Sequence, residues 1–186
     1  MSVRRRVIAL VSLLALGGCA GMGAPAPPAA EAVRPLNAAR TYSGVWRVYA
    51  LSAPAKTSPC LLTQIEFLGA ADGDVFERDV CQDKGGRLKT VDGRLTIDNP
   101  GLDTRYMVRY RFLQAFYVPQ SFVILAHGGQ YRWMIRQSRP EGDIVAFIRP
   151  DAPTAEVAEH IDKALKTLGL DPAKLTRPPV SAAPAP

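Results

Sequence analysis

Between Tyr42 and Arg139 hydrophobic and polar positions alternate with a period of two, interrupted by turn residues. Such alternation places successive side chains on opposite faces of an extended strand. Gly44, Trp46, Val48 and Ala50 share one face of a first strand, and Arg47 and Tyr49 share the other. Leu61, Thr63, Ile65 and Phe67 alternate with Leu62, Gln64 and Glu66 in a second. Residues 69–74 read as a turn, 75–81 as a third strand, and Asp83-Lys84-Gly85-Gly86 as a loop. Residues 87–91 and 94–97 flank Asp92-Gly93, a dipeptide that favours a two-residue hairpin. After the break at Asn99-Pro100-Gly101, Tyr106, Val108, Tyr110 and Phe112 alternate with Arg105, Met107, Arg109 and Arg111. Residues 121–126 and 131–139 flank a second hairpin signal, Gly128-Gly129.

Consecutive short strands joined by tight turns, with no helix between them, predict an antiparallel meander rather than a parallel α/β sheet. Closing the sheet removes its unpaired edges. The expected fold is all-β: a single antiparallel up-and-down β-barrel of about eight strands with one C-terminal α-helix packed outside. That helix follows Thr154, read as its N-cap. Val157, Ala158, Ile161, Leu165 and Leu168 form an apolar stripe at helical spacing. Glu156 and Glu159 near its start and Lys163 and Lys166 near its end suit the helix dipole, and Gly169 is placed to stop it.

Charge changes this picture little. The formal net charge is +6, from 23 basic and 17 acidic residues. Arg4, Arg5 and Arg6 precede an apolar run over 7–16, the pattern of a secretory signal, too short to cross a bilayer as a helix. Their removal leaves 20 basic against 17 acidic residues, a net +3. That mild excess lacks the clustered Lys/Arg and aromatic platforms of a nucleic-acid binder. The signal ends in Leu16-Gly17-Gly18-Cys19, which resembles the lipobox of bacterial lipoproteins. The resemblance implies cleavage before Cys19 and acylation of Cys19, and several acyl chains at one site give stable anchoring. Ala20, rather than Asp, follows the Cys; by analogy with the sorting rule of enteric bacteria this implies the outer membrane, with the domain facing the periplasm. The expected organisation is a signal peptide over 1–18 and a lipidated Cys with an Ala/Pro-rich tether over 19–40. The folded domain follows over 41–176, and a disordered Pro/Ala tail over 177–186.

Gly44-Val45-Trp46, opening the first strand, resembles the Gly-x-Trp motif of lipocalins. The segment Tyr131-Arg132-Trp133-Met134-Ile135-Arg136-Gln137-Ser138-Arg139-Pro140 is similar to that family's final strand, and residues 168–175 resemble the segment after its C-terminal helix. The likeness covers about 42–176 and points to the bacterial outer-membrane lipoprotein branch. It implies a barrel-closing motif of Gly44, Trp46 and Arg139, with the guanidinium packed over the indole. Two departures stand out: the span from Phe112 to Gly128 is short, predicting an abbreviated or irregular strand pair, and Arg47-Val48-Tyr49 replaces a tyrosine-containing motif of the bacterial branch. Cys60 and Cys81 fall where two antiparallel strand ends meet, and some bacterial lipocalins have a similar pair. They form either a disulfide or two separate buried thiols. A disulfide closing about 20 residues adds roughly 3 kcal/mol in the chain-entropy view.

Catalytic signatures are missing: there is no Gly-x-Ser-x-Gly elbow, P-loop or dinucleotide fingerprint. His127 and His160 belong to no metal-spaced cluster, and Asp72 and Asp74 suit a turn. The expectation is therefore a non-enzyme without cofactor or metal. The inferred inward set is Val48, Ile65, Phe67, Tyr106, Val108, Tyr110, Phe112, Tyr131, Trp133 and Ile135. As a set it suits an apolar ligand, with phenolic tips to hydrogen-bond it. Together with the anchor it points to binding, storage or transport of a fatty acid, such as palmitate, or a lysophospholipid. The alternative is a filled barrel, a structural or assembly lipoprotein that binds another envelope protein through its surface, with Arg105, Arg109 and Arg111 as a basic face. A one-residue slip in strand parity would instead turn these arginines inward and make an anion-binding cavity.

Overall fold

The computed structural model describes residues 35–52, 60–70, 73–112 and 116–178. Eight strands follow one another: β1 (Gly44–Leu51), β2 (Cys60–Gly69), β3 (Val75–Asp83), β4 (Leu88–Ile97), β5 (Arg105–Phe112), β6 (Phe116–His127), β7 (Trp133–Arg139) and β8 (Ile144–Ile148). Each pairs antiparallel with the next, and β8 returns to β1, closing the barrel. A one-turn helix, α1 (Ala38–Thr41), precedes the barrel; α2 (Thr154–Thr167) and a 3-10 turn (Pro172–Lys174) follow it. The expected closed meander with one C-terminal helix outside is the fold observed. Cys60 and Cys81 are joined as a disulfide, with their Cα atoms 5.6 Å apart, tying the start of β2 to the end of β3.

The alternation predicts most inward faces, and three bulges mark where it breaks. In β1 the register slips between Val48 and Ala50. Trp46 and Val48 point inward as expected, but Ala50 turns out under α2 and Leu51 turns in. A bulge inserts one unpaired residue and so reverses the parity beyond it. Similar slips fall between Leu62 and Gln64 in β2 and between Ile124 and Ala126 in β6.

Asp92-Gly93 is not a hairpin. Strand β4 runs straight through it, with Asp92 opposite Arg78 and Gly93 opposite Tyr110. A Cβ on Gly93 would lie 2.3 Å from Val108 Cγ1 and 3.0 Å from Tyr110 Cδ1. This glycine serves close packing inside the barrel, the other use of glycine in a strand. The short span after Phe112 does not abbreviate the pairing: β6 is 12 residues long and matches β5 over eight positions, from Arg105↔Val123 to Phe112↔Phe116.

The segment expected to be the last strand is the seventh. The eighth, Ile-Val-Ala-Phe-Ile, is apolar throughout because the barrel core covers one side and α2 the other. The same double burial corrects two inward assignments. Trp133 and Ile135 face outward, against Val157, Ile161 and Leu165 of α2, while Met134, Arg136 and Ser138 are their buried neighbours. Pro153, not Thr154, occupies the N-cap position of α2, with no side-chain cap; Gly169, in the left-handed region at φ +76°, ends the helix as expected. The folded region also begins earlier than residue 41. Leu36 is buried and donates its N–H to the carbonyl of Leu102, and Asn37 caps α1. At the other end Thr176 bridges Leu51, and Arg177 pairs with Asp162 at 3.2 Å. Cys19 lies outside the described residues.

Candidate functional site

The two ends of the barrel differ. At one end α1 and the preceding turn plug the opening. Trp46 is fully buried there and donates its indole N–H to the carbonyl of Thr41 at 3.0 Å. The guanidinium over its ring is that of Arg149, 3.7 Å from the ring centroid. Arg149 also donates to the carbonyls of Ser43, Val45 and Arg40. Arg139, expected in this role, is exposed at the far end of β7, because one more strand lies between it and the helix. Arg149 follows that strand, on the residue after Ile148, which pairs with Arg47 beside the indole. Gly44 has φ +59°, a left-handed conformation that glycine adopts without strain, while a Cβ there would meet Arg149 Nη1 at an ordinary contact distance of 3.5 Å.

Above this plug the lower half of the barrel is solid. Tyr42, Trp46, Val48, Ile65, Phe67, Leu95, Tyr106 and Val108 form one continuous cluster. Tyr42 meets Phe67 and Tyr106 edge-on, with ring centroids 5.4 and 5.1 Å apart. Edge-to-face contacts suit the aromatic quadrupole. Val48, Ile65, Phe67, Tyr106, Val108 and Tyr110 thus point inward as read from the sequence, but they fill the core and none of them lines the open space. Tyr131 belongs to the plugged end, where it stacks on His127 and its hydroxyl accepts the N–H of Asn37. For Phe112 only the backbone is described, at the last position of β5.

The open half holds a cavity of about 460 Å³. Its walls are largely apolar, from Leu51, Leu62, Val91, Phe122, Ile144 and Val145, with the disulfide on one side. Lys89, Gln120, Ser138 and Asp143 add polar groups, and Asp79 and Arg136 also reach the space. Beneath them is a buried ionic cluster. Arg136 is 3% exposed and donates from Nη1 to Glu77 Oε1 at 2.5 Å and to the Tyr106 hydroxyl at 2.9 Å. Its guanidinium lies over the rings of Phe122, at 4.0 Å, and Phe147, at 5.0 Å. Glu77 is wholly buried. The Tyr110 hydroxyl lies 3.1 Å from Glu77 Oε1 and 3.0 Å from Asp79 Oδ2. Among the described residues, Asp79 Oδ1, Glu77 Oε2 and Arg136 Nε have no hydrogen-bond partner.

Burial, and then the neighbouring Glu77 carboxylate, hold the Asp79 carboxyl well above the usual carboxylate range. Burial likewise raises the Tyr106 and Tyr110 phenols, keeping them protonated donors. For Arg136 burial opposes the charge, but Glu77 and the tyrosines outweigh it and hold the guanidinium protonated.

The sequence reading missed this cluster. In β3 charges fall on both parities: Glu77 and Asp79 alternate with Arg78, and Glu66 and Asp92 flank Arg78 outside. A strand charged on both faces hides which face is buried. The available signal was the inward parity fixed by Cys81, which places Asp79 and Glu77 on its own face.

No family model matches the chain, and no curated protein sequence matches it. Solved structures do. Insecticyanin from the tobacco hornworm Manduca sexta superposes with a TM-score of 0.63 at 18% identity, covering 85% of this chain and 89% of that one. The amine-binding protein of Rhodnius prolixus, in its tryptamine complex, gives 0.63 at 11% identity, covering 80% and 84%. Lobster apocrustacyanin A1 gives 0.53 at 17% identity, covering 74% and 76%. The chain has the lipocalin fold.

Proposed function

We propose that this protein is a lipid-anchored carrier of the bacterial cell envelope that holds one small hydrophobic molecule in the open half of its barrel. The observation that carries the reading is the cavity, whose volume falls within the roughly 300–1,000 Å³ of small-molecule sites. Its apolar walls and few converging polar groups are the usual composition of such sites. The neighbour crystallised with tryptamine uses the same fold for a small molecule. An anchor at Cys19 would hold the domain at the outer membrane, facing the periplasm, with the chain ahead of residue 35 as its tether. The cavity weighs against the wholly filled barrel, the alternative in which only the surface binds. Of the two ligands expected from the sequence, a fatty acid fits less well than a lysophospholipid, since its carboxylate would meet Asp79 at the floor.

The test is organic extraction and native mass spectrometry of the full-length chain, purified from membranes without added lipid. One equivalent of a co-purifying small molecule is expected, lost when Phe122, on the cavity wall, is replaced by Asp. A bare polypeptide mass that no hydrophobic compound shifts would return the surface-binding alternative.

A further inference from the structure

We propose that the cavity selects a cationic head group, so that its occupant is a protonated amine on an apolar body, inserted head first against Asp79. This rests on the cavity being a binding site and names the class of ligand it takes.

Among the described residues, four charged ones reach the cavity: Asp79, Lys89, Arg136 and Asp143. Both cations are already engaged by carboxylates that do not line it. Arg136 is paired with Glu77 at 2.5 Å at the floor; Lys89, exposed at the rim, shares Asp83 with Arg87, at 3.5 and 3.2 Å. Among the described residues Asp79 is the carboxyl at the floor that no cation holds. Asp79 stands at the floor, and its Oδ1, like Glu77 Oε2, is buried with no donor among the described residues, a costly arrangement. An ammonium supplies donors and no acceptor. A carboxylate that reached the floor would face Asp79 and, among the described residues, only a cation already paired there, Arg136. An alkyl end entering first would press a methyl group onto an ionic floor, which explains why the head leads.

The proton count at Tyr110 points the same way. A phenol carries one proton, yet the Tyr110 oxygen lies within hydrogen-bond distance of two carboxyl groups, those of Glu77 and Asp79. With both ionised, one contact would set oxygen lone pairs against each other. With Asp79 protonated, its carboxyl donates to the Tyr110 oxygen while Tyr110 donates to Glu77, and both contacts are made. The empty floor is then neutral overall: Glu77 balances Arg136, and Asp79 keeps its proton. The groups facing Asp79 are Glu77 on its own strand, Tyr110 on β5 and Arg136 on β7, with Lys89 of β4 at the rim of the same cavity. Arrival of an ammonium ionises Asp79. Its proton passes to the buffer, its carboxylate accepts an N–H in place of the contact with Tyr110, and Arg136 stays with Glu77. Binding of the amine therefore releases a proton and strengthens as pH rises toward and through the raised Asp79 value.

The experiment is calorimetric titration of the full-length chain, freed of detergent, with octylamine, octanoate and 1-octanol, which share one apolar chain. Octylamine is expected to bind at least about tenfold more tightly than either analogue, as a charge-assisted hydrogen bond allows. Its binding enthalpy should change with the ionisation enthalpy of the buffer, and Asp79→Asn should abolish the preference, bringing octylamine to the affinity of 1-octanol. Octanoate or 1-octanol binding as tightly as octylamine would overturn the amine assignment and leave the cavity reading standing. So would octylamine binding undiminished in Asp79→Asn. If none of the three binds, both readings fall. The ranking on the unmodified chain decides the point even if the variant does not fold.

Discussion

Asp79 is where single-residue chemistry weighs most on this molecule. Burial and the adjacent Glu77 raise its carboxyl well above the usual range. The folded chain then keeps that proton to higher pH than the unfolded chain, whose value is roughly 3.9. The sign follows: this group favours the folded state at and below the unfolded value, and that contribution is lost as pH rises through the folded one. Asp79→Asn has no proton to lose. Its stability relative to the unmodified chain should therefore grow across that window, reaching about 1–3 kcal/mol at the top. Urea denaturation of both chains from about pH 4 to pH 8 checks this; parallel curves would mean that Asp79 titrates like an exposed carboxyl. Arg136 presents the opposite case, since Glu77, Tyr106 and two aromatic rings compensate its charge. Removing that guanidinium would leave Glu77 buried without its cation, held by the Tyr110 hydroxyl alone.

At the scale of the element, strand β4 shows how one local signal carries two meanings. Asp-Gly between alternating hydrophobics ordinarily turns the chain. Here Asp92 spends its side chain on Arg78 of the neighbouring strand, at 2.8 and 3.2 Å, and Gly93 lets Val108 and Tyr110 approach the backbone. Gly93→Ala should cost about 1–3 kcal/mol by overpacking. A fall in the urea midpoint measures it, and an unchanged midpoint would show that β5 yields without strain. Because Tyr110 joins Glu77 to Asp79, the same change should also weaken occupancy of the cavity. Strands β7 and β8 carry the complementary lesson. Covered on both faces, they lose the alternation that identifies an inner side, so Trp133 and Ile135 look like barrel lining and are in fact the seat of α2.

The whole molecule is divided along its axis. One half is solid and stapled by Arg149, which reaches the carbonyl of Arg40 from 109 residues away in sequence. The other half is hollow, braced by the disulfide and floored by charge. This division lets the packed half carry stability while the ionic floor, costly in itself, serves selection. The proposed anchor belongs to this scale too, since it fixes the domain to a surface. Cys19→Ser is expected to move the protein from the membrane fraction to the soluble fraction, with ligand occupancy unchanged; fractionation followed by immunoblotting reads the result, and retention in the membrane would remove the lipid anchor from the proposal.

The sequence by itself determined the antiparallel meander, the inward faces of Trp46, Ile65, Phe67, Tyr106 and Tyr110, the amphipathic helix and the meeting of Cys60 with Cys81. All of these follow from stereochemistry that acts over a few residues: a period of two, a period of 3.6, and glycines that turn the chain. Only the tertiary structure decided the rest. Bulges reversed parity within β1, β2 and β6, and a second covered face hid the orientation of β7 and the existence of β8. Arg149, not Arg139, came to rest over Trp46. The site itself joins Glu77 to Arg136 across 59 residues. A buried charge is tolerated only beside its partner, and which strands face each other across a closed barrel is a property of closure, not of any one segment.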